Sequence, residues 1–167
     1  MNKLDISLYG IDYVEPDKFI TSDEIEETLR PVYEKLKLPF GRIEMQTGIQ
    51  SRGIYENKMP STISTLAAKN LFKESSIKAD EIDLLIHGSV CRDFLEPSTA
   101  SVIHDSLGLR PDCMSFDLSN ACLGVVSSIQ TAAHMIKTGA IKYALIVTGE
   151  NSKPLIDQTL KKFSIIN

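Results

Sequence analysis

The chain has 167 residues, 43% hydrophobic and 24% charged, with a formal net charge of −4. That balance describes a folded globular chain of about one domain. It leaves no basic footprint for nucleic acid or an anionic membrane, and no stretch approaches the ~20 apolar residues of a membrane span.

Leu4-Asp5-Ile6-Ser7-Leu8 alternates with period two and predicts a strand over residues 3–10. Asp5 and Ser7 also break any apolar run of signal-peptide length. Thr21 and Glu24 have capping-box spacing, so a helix runs from there to about Leu38, kinked or divided at Pro31. QTGIQSRGIYE, residues 46–56, reads as a glycine-marked turn entering a short strand. A helix follows from Thr62 to Ser75, with Leu66, Ala67, Leu71 and Phe72 on its inner face.

Asp83–His87 is apolar enough for a buried strand, and Pro97 opens a helix to about Leu107. Met114–Leu118 is a further strand. Residues 122–138 form a helix with Val125, Val126, Ile129, Ala132, Ala133 and Ile136 on one stripe, and Gly139 stops it. Tyr143–Thr148 is a strand, and residues 154–162 a short helix. Strands alternating with helices imply an α/β fold with a mostly parallel sheet and helices on both faces. Ligands of such sheets sit beyond the carboxyl ends of the strands.

SNACLG, residues 119–124, lies at that edge, where a strand passes into a helix. A thiol in the first helical turn meets unpaired amides whose positive potential favours thiolate, which makes Cys122 a candidate nucleophile. Gly124 would let a substrate approach closely. Cys122 also falls on the apolar stripe, so a small buried hydrophobe is an equal reading. Cys91 and Cys113 lack the helix-start setting and read as structural. Three cysteines without a CxxC pair suit a reducing cytoplasm, and the cysteines and histidines lack metal-ligand spacing. No histidine is a convincing base. His134 is 12 residues along the same helix, about 18 Å away, and faces solvent. His87 reads as a core or sheet-end residue and His104 as a helix-surface one.

The stretch from SNACLGVVSSIQ to ALIVTGE resembles the nucleophile region of the 3-oxoacyl-(acyl-carrier-protein) synthase III family, in the thiolase superfamily. TGIQSRGIYE resembles that family's threonine-glycine-isoleucine turn, and EPSTASVIHDSLGL its proline-serine helix entry. Order and spacing match from about residue 3 to residue 152. The resemblance implies a thiolase-like fold and a Claisen condensation of acyl-thioesters through an acyl-Cys122 intermediate. Substrates would be coenzyme A or acyl-carrier-protein thioesters, with no bound cofactor. It also implies a cytoplasmic homodimer that pairs the strand at about residues 113–119 with its twin.

Where common members carry phenylalanine before the proline-serine pair, this chain has Glu96. That resembles the branch condensing two long acyl-thioesters head to head, as in bacterial olefin biosynthesis, and implies that Glu96 crosses the dimer into the partner subunit's acyl tunnel as the base that forms the donor carbanion. A carboxylate in an apolar tunnel has a raised pKa suited to that task. On the residues alone, Glu96 is a loop acid or a charge at a helix start. The family's tryptophan and arginine that hold coenzyme A correspond to Arg42 and Gln46, and the chain has no tryptophan. Arg42 is therefore a phosphate contact only as a hypothesis.

Family members run to about twice this length. Residues 1–167 correspond to their amino-terminal, nucleophile half, and the half that brings a catalytic histidine and asparagine is expected to be missing. The chain alone is then expected to condense nothing. The rival reading is a non-catalytic remnant or interaction module with an inert cysteine.

Overall fold

A computed structural model describes residues 6–164. They divide into two units, Glu15–Asn57 with the segment from Asn151, and the residues up to Val14 with Lys58–Glu150.

In the smaller unit, β1 (Lys18–Thr21) pairs antiparallel with β2 (Ser51–Ile54). Between them lie α1 (Ser22–Thr28), α2 (Arg30–Leu36) and α3 (Arg42–Thr47). The capping box forms as the spacing predicts: Thr21 Oγ1 accepts the Glu24 N–H at 3.1 Å, and Glu24 accepts the Thr21 N–H at 2.7 Å. Pro31 divides the helix, with Leu29 closing α1 and starting α2. The sequence gives no signal for α3. It exists because the buried Glu26 carboxylate accepts the N–H groups of Gly41 and Ile43, the latter at 2.6 Å, and caps its first turn. Burial pushes the Glu26 carboxyl up, but the donors of Ile43, Gly41, Tyr33 and Arg42 outweigh it and hold it below the usual carboxylate range.

The larger unit contains α4 (Pro60–Glu74), β3 (Leu84–Gly88), α5 (Thr99–Leu107), β4 (Met114–Leu118), α6 (Gly124–Lys137) and β5 (Ala144–Val147). Its sheet is parallel with order β4-β3-β5, so β3 is central and buried throughout. Alternation along β3 builds two cores. Leu85 packs with Ala68, Ala100, Ile103 and Val147 beneath α4 and α5. Leu84 and Ile86 pack with Ala132 and Ile141 on the α6 side. Helices therefore cover both faces. From β3 the chain moves to one neighbour, and from β4 it crosses back over β3 to the other. Crossovers of one hand running in opposite directions must lie on opposite faces, which opens a crevice at the carboxyl ends of β3 and β4. The smaller unit closes with α7 (Lys153–Ser164).

Two expectations need correction. Residues 3–5 of the predicted first strand lie outside the described residues, and residues 6–10 form no strand. Leu8 and Tyr9 are exposed, and alternation makes a strand only where a neighbour accepts its backbone hydrogen bonds. The predicted stripes hold in part, since Leu71 and Phe72 of α4 and Ala132, Ala133 and Ile136 of α6 lie on the core side, but both inner faces extend to residues outside them. Gly124 and Ser128, with Ala132 and Ala133, are the buried residues of α6, while Val125, Val126 and Ile129 are 38%, 57% and 47% exposed. In α4, Ile63, Ser64 and Ala68 are buried and Leu66 is exposed.

Close approach explains both extensions. A Cβ on Gly124 would lie 3.2 Å from the carbonyl carbon of Gly88, and one on Gly149 would lie 2.1 Å from the Pro60 oxygen. On α6 small residues face the sheet where the helix sits this near, and Val125, Val126 and Ile129 turn outward. Gly149→Ala must therefore displace backbone. We expect a loss of about 1–3 kcal/mol in urea denaturation, against which parental stability would count directly.

Candidate active site

Cys122 stands where β4 hands over to α6. Ala121 takes the left-handed conformation (φ 43°), and the Leu123 N–H returns to the Asn120 carbonyl at 2.9 Å. This tight turn places Cys122 just before Leu123, the residue that caps α6, and leaves it exposed. Leu123 gives no side-chain cap, so the first helical amides are not claimed by it. The thiol is thus one step ahead of the predicted first turn, open to solvent, and not a core residue. Gly124 serves the seating of α6 on the end of β3 and not the approach of a substrate.

The β3–α5 loop, residues 89–98, leaves the carboxyl end of the neighbouring strand and carries Glu96. Its side chain is exposed and its peptide to Pro97 is cis. Pro97 precedes α5 and does not begin it; Ser98 is the cap, accepting the Ser101 N–H at 3.2 Å. Val90, Phe94 and Leu95 on the same loop are 53%, 51% and 83% exposed. Cys122 and Glu96 thus stand on loops leaving neighbouring strands, with no hydrogen bond between them among the described residues. Arg42 belongs to the smaller unit, as the first residue of α3, where its backbone N–H helps hold Glu26.

Three carboxylates that sequence reasoning missed organise the loop. Asp117 of β4 accepts the Thr99 and Ala100 N–H groups at 2.9 and 2.7 Å and fixes the start of α5. Asp93 accepts the Ser61 N–H at 2.9 Å. Glu150, beyond β5, accepts the Ser89 hydroxyl at 2.7 Å and the N–H groups of Val90 and Cys91 at 2.6 and 3.2 Å. Burial raises the Glu150 carboxyl, but these donors outweigh it and hold it below its ordinary value. The signal available was an acid inside the apolar strand MSFDL and another directly after YALIVTG.

None of the three histidines pairs with Cys122. His134 is exposed and its Nδ1 lies 2.6 Å from the Gln130 carbonyl; His104 Nε2 lies 3.0 Å from the Arg110 carbonyl. His87 is buried, with Nδ1 3.6 Å from Asp117 and Nε2 unpaired among the described residues. Burial depresses its pKa, against the opposing pull of Asp117. No group of three or more His, Cys, Asp or Glu among the described residues could hold a metal ion. No helix among them is long and apolar enough to cross a membrane.

The thiols separate by environment. Cys113 is 6% exposed and burial pushes its pKa up, whereas Cys122 is open. Native-state alkylation read by peptide mass spectrometry should modify Cys122 about tenfold or more faster than Cys113. Equal rates would mean that Cys122 is shielded in solution.

A family model described as 3-Oxoacyl-[acyl-carrier-protein (ACP)] synthase III matches residues 116–167. The chain is 36% identical over 160 residues to an acyl-CoA:acyl-CoA alkyltransferase of Xanthomonas campestris, covering 95% of this chain and 47% of that protein. It is 32% identical over 143 residues to a beta-ketoacyl-[acyl-carrier-protein] synthase III of Clostridium novyi, covering 85% and 41%. A crystal structure of cerulenin-bound Xanthomonas campestris OleA superposes with a TM-score of 0.91 at 35% identity, over 96% of this chain and 47% of that one. The chain spans about half the length of the relatives it matches.

Proposed function

We propose, from the premise that this chain belongs to the 3-oxoacyl-[acyl-carrier-protein] synthase III family, that it bears the nucleophile of an enzyme condensing two acyl-thioesters head to head. The observation that supports the reading is an exposed cysteine after β4 and an exposed glutamate on the loop after β3, both on segments that leave the carboxyl ends of neighbouring parallel strands.

The chemistry has two stages. Cys122 thiolate attacks the carbonyl of the first acyl-thioester and expels its carrier thiol, leaving an acyl-cysteine. Glu96 then takes an α-proton from the second acyl-thioester. The resulting carbanion attacks the acyl-cysteine carbonyl, a carbon–carbon bond forms, and the Cys122 thiolate leaves as the 3-oxoacyl thioester departs. One carrier thiol is released per condensation, and no carbon dioxide.

Long-chain acyl groups of coenzyme A are the substrates this reading favours, because the loop bearing Glu96 also presents Phe94 and Leu95 to whatever covers it. A phosphate contact from Arg42 to the coenzyme A moiety is part of the proposal. So is a homodimer in a cytoplasmic setting. In support, β4 is an edge strand with Met114 44% exposed, the arrangement an isologous strand pairing uses. Condensation is proposed to need the further length that the relatives possess, so the 167 residues alone form acyl-Cys122 and no 3-oxoacyl product.

The test is stoichiometric. Long-chain acyl-coenzyme A alone should give the full-length enzyme 3-oxoacyl product with one coenzyme A released per condensation. A strict need for malonyl thioester, with carbon dioxide evolved, would assign the chain to the decarboxylating branch. Product from the 167-residue chain alone would sink the division of labour.

A further inference from the structure

The loop after β3 is an arm with three fixed points and a free tip. Its root is gripped by Glu150, through the Ser89 hydroxyl at 2.7 Å and the Val90 and Cys91 amides at 2.6 and 3.2 Å. Midway the loop closes on itself, where the Asp93 N–H donates to Thr99 Oγ1 at 3.1 Å. The same Asp93 is tied to the first turn of α4 by the Ser61 N–H at 2.9 Å. Beyond the tip, Asp117 holds the Thr99 and Ala100 amides. Thr99 itself is fully buried. Between these anchors Phe94, Leu95 and Glu96 are exposed and take no hydrogen bond among the described residues.

Ten loop residues with three exposed apolar side chains, Val90, Phe94 and Leu95, would ordinarily fold back on the surface. The anchors prevent that by fixing the backbone on both sides of the tip before anything binds. Such pre-set geometry is what a proton-transfer group needs, since a displacement of about 1 Å can cost on the order of 100-fold in rate.

We propose that Glu150 and Thr99 are positioning residues for Glu96, holding the arm so that its carboxylate is delivered to one place. The inference rests on the reading of Glu96 as the base.

The full-length enzyme carrying Glu150→Gln or Thr99→Val tests it. Acyl-Cys122 formation should stay within about twofold of the parent, while condensation kcat falls about 10–100-fold. Thr99→Ser restores the acceptor for the Asp93 N–H and should restore condensation. Hydrogen exchange of the bonded loop amides should quicken about tenfold or more, those of Val90 and Cys91 in Glu150→Gln and that of Asp93 in Thr99→Val. Combined with Glu96→Gln, neither change should add a further loss, because all act through one group.

Parental condensation by both variants, or a loss that multiplies with that of Glu96→Gln, overturns the positioning role. An equal fall in acylation, with Thr99→Ser no better than Thr99→Val, also overturns it, as the mark of a general structural defect. Parental condensation by Glu96→Gln removes the base reading and the positioning role together. A Glu96→Gln loss with unchanged exchange and full condensation in Glu150→Gln and Thr99→Val removes the positioning role only.

Discussion

On the proposed function, a protein with the length of the relatives is expected to lose condensation by about 10⁴-fold or more in Cys122→Ala, the scale on which nucleophile removal acts elsewhere. The change deletes one exposed sulfur from a turn held by backbone bonds. The Leu123 N–H still meets the Asn120 carbonyl, the Gly124 N–H still meets Ala121, and Gly88 still seats α6. Thermal stability should therefore remain within about 0.5 kcal/mol of the parent, as for surface substitutions generally. The 167-residue chain offers a direct check. With an activated long-chain thioester, intact-mass analysis should show one acyl adduct on the parent, mapped to Cys122, and none on Cys122→Ala. An adduct that persists and maps to Cys91 would move the nucleophile to the neighbouring loop and dissolve the account of the β4–α6 turn.

Glu96→Gln should separate the two stages. The amide keeps the size and hydrogen-bonding reach of the side chain but cannot accept the α-proton. Removing a general base costs about 10²–10⁴-fold. We expect condensation to fall by that factor while the yield and rate of acyl-Cys122 formation stay unchanged. The acyl-enzyme should accumulate and turn over only by slow hydrolysis. Rapid quench with mass spectrometry of the acyl-enzyme, beside product assay, reads both stages in one experiment. A parallel fall in acylation would place Glu96 in first-substrate binding. Normal condensation would return it to the status of a loop acid at the approach to α5.

The acidic residues of the larger unit divide by what they bond. Glu96 takes no hydrogen bond among the described residues, whereas Asp93, Asp117 and Glu150 each accept backbone amides at the ends of strands and helices. The first is exposed and uncommitted, as the proposed base requires. The others are committed to geometry, and Glu150 accordingly stays ionised below the ordinary carboxylate range. Its stabilising contribution is present at neutral pH and is withdrawn as acid titrates it.

Much of this was legible in the chain. The β3 and β5 segments were readable because strands of a covered parallel sheet need near-continuous apolar runs, whereas β4, half-buried and interrupted by Ser115 and Asp117, carries a weaker form of that signal. The Thr21 capping box and the division at Pro31 are local rules that the structure follows. The position of Cys122 at a strand-to-helix junction was readable for the same reason, since neighbours within a few residues set it.

Other features depend on partners far along the chain. Helix α3 exists because Glu26 reaches amides 15 and 17 residues away. The grip of Glu150 on the Ser89–Cys91 segment spans about 60 positions, and that of Asp117 on α5 spans 17 and 18. The faces of α4 and α6 were read correctly at Leu71, Phe72, Ala132, Ala133 and Ile136 but missed Gly124, Ser128 and Ser64, because hydrophobic periodicity records where large side chains lie. Contact distance at Gly88–Gly124 and Gly149–Pro60 decided instead that small ones face the sheet. Periodicity and caps are properties of adjacent residues and can be read in order. Close approach and long-range capping are set only when the folded backbone brings distant segments within a few ångströms.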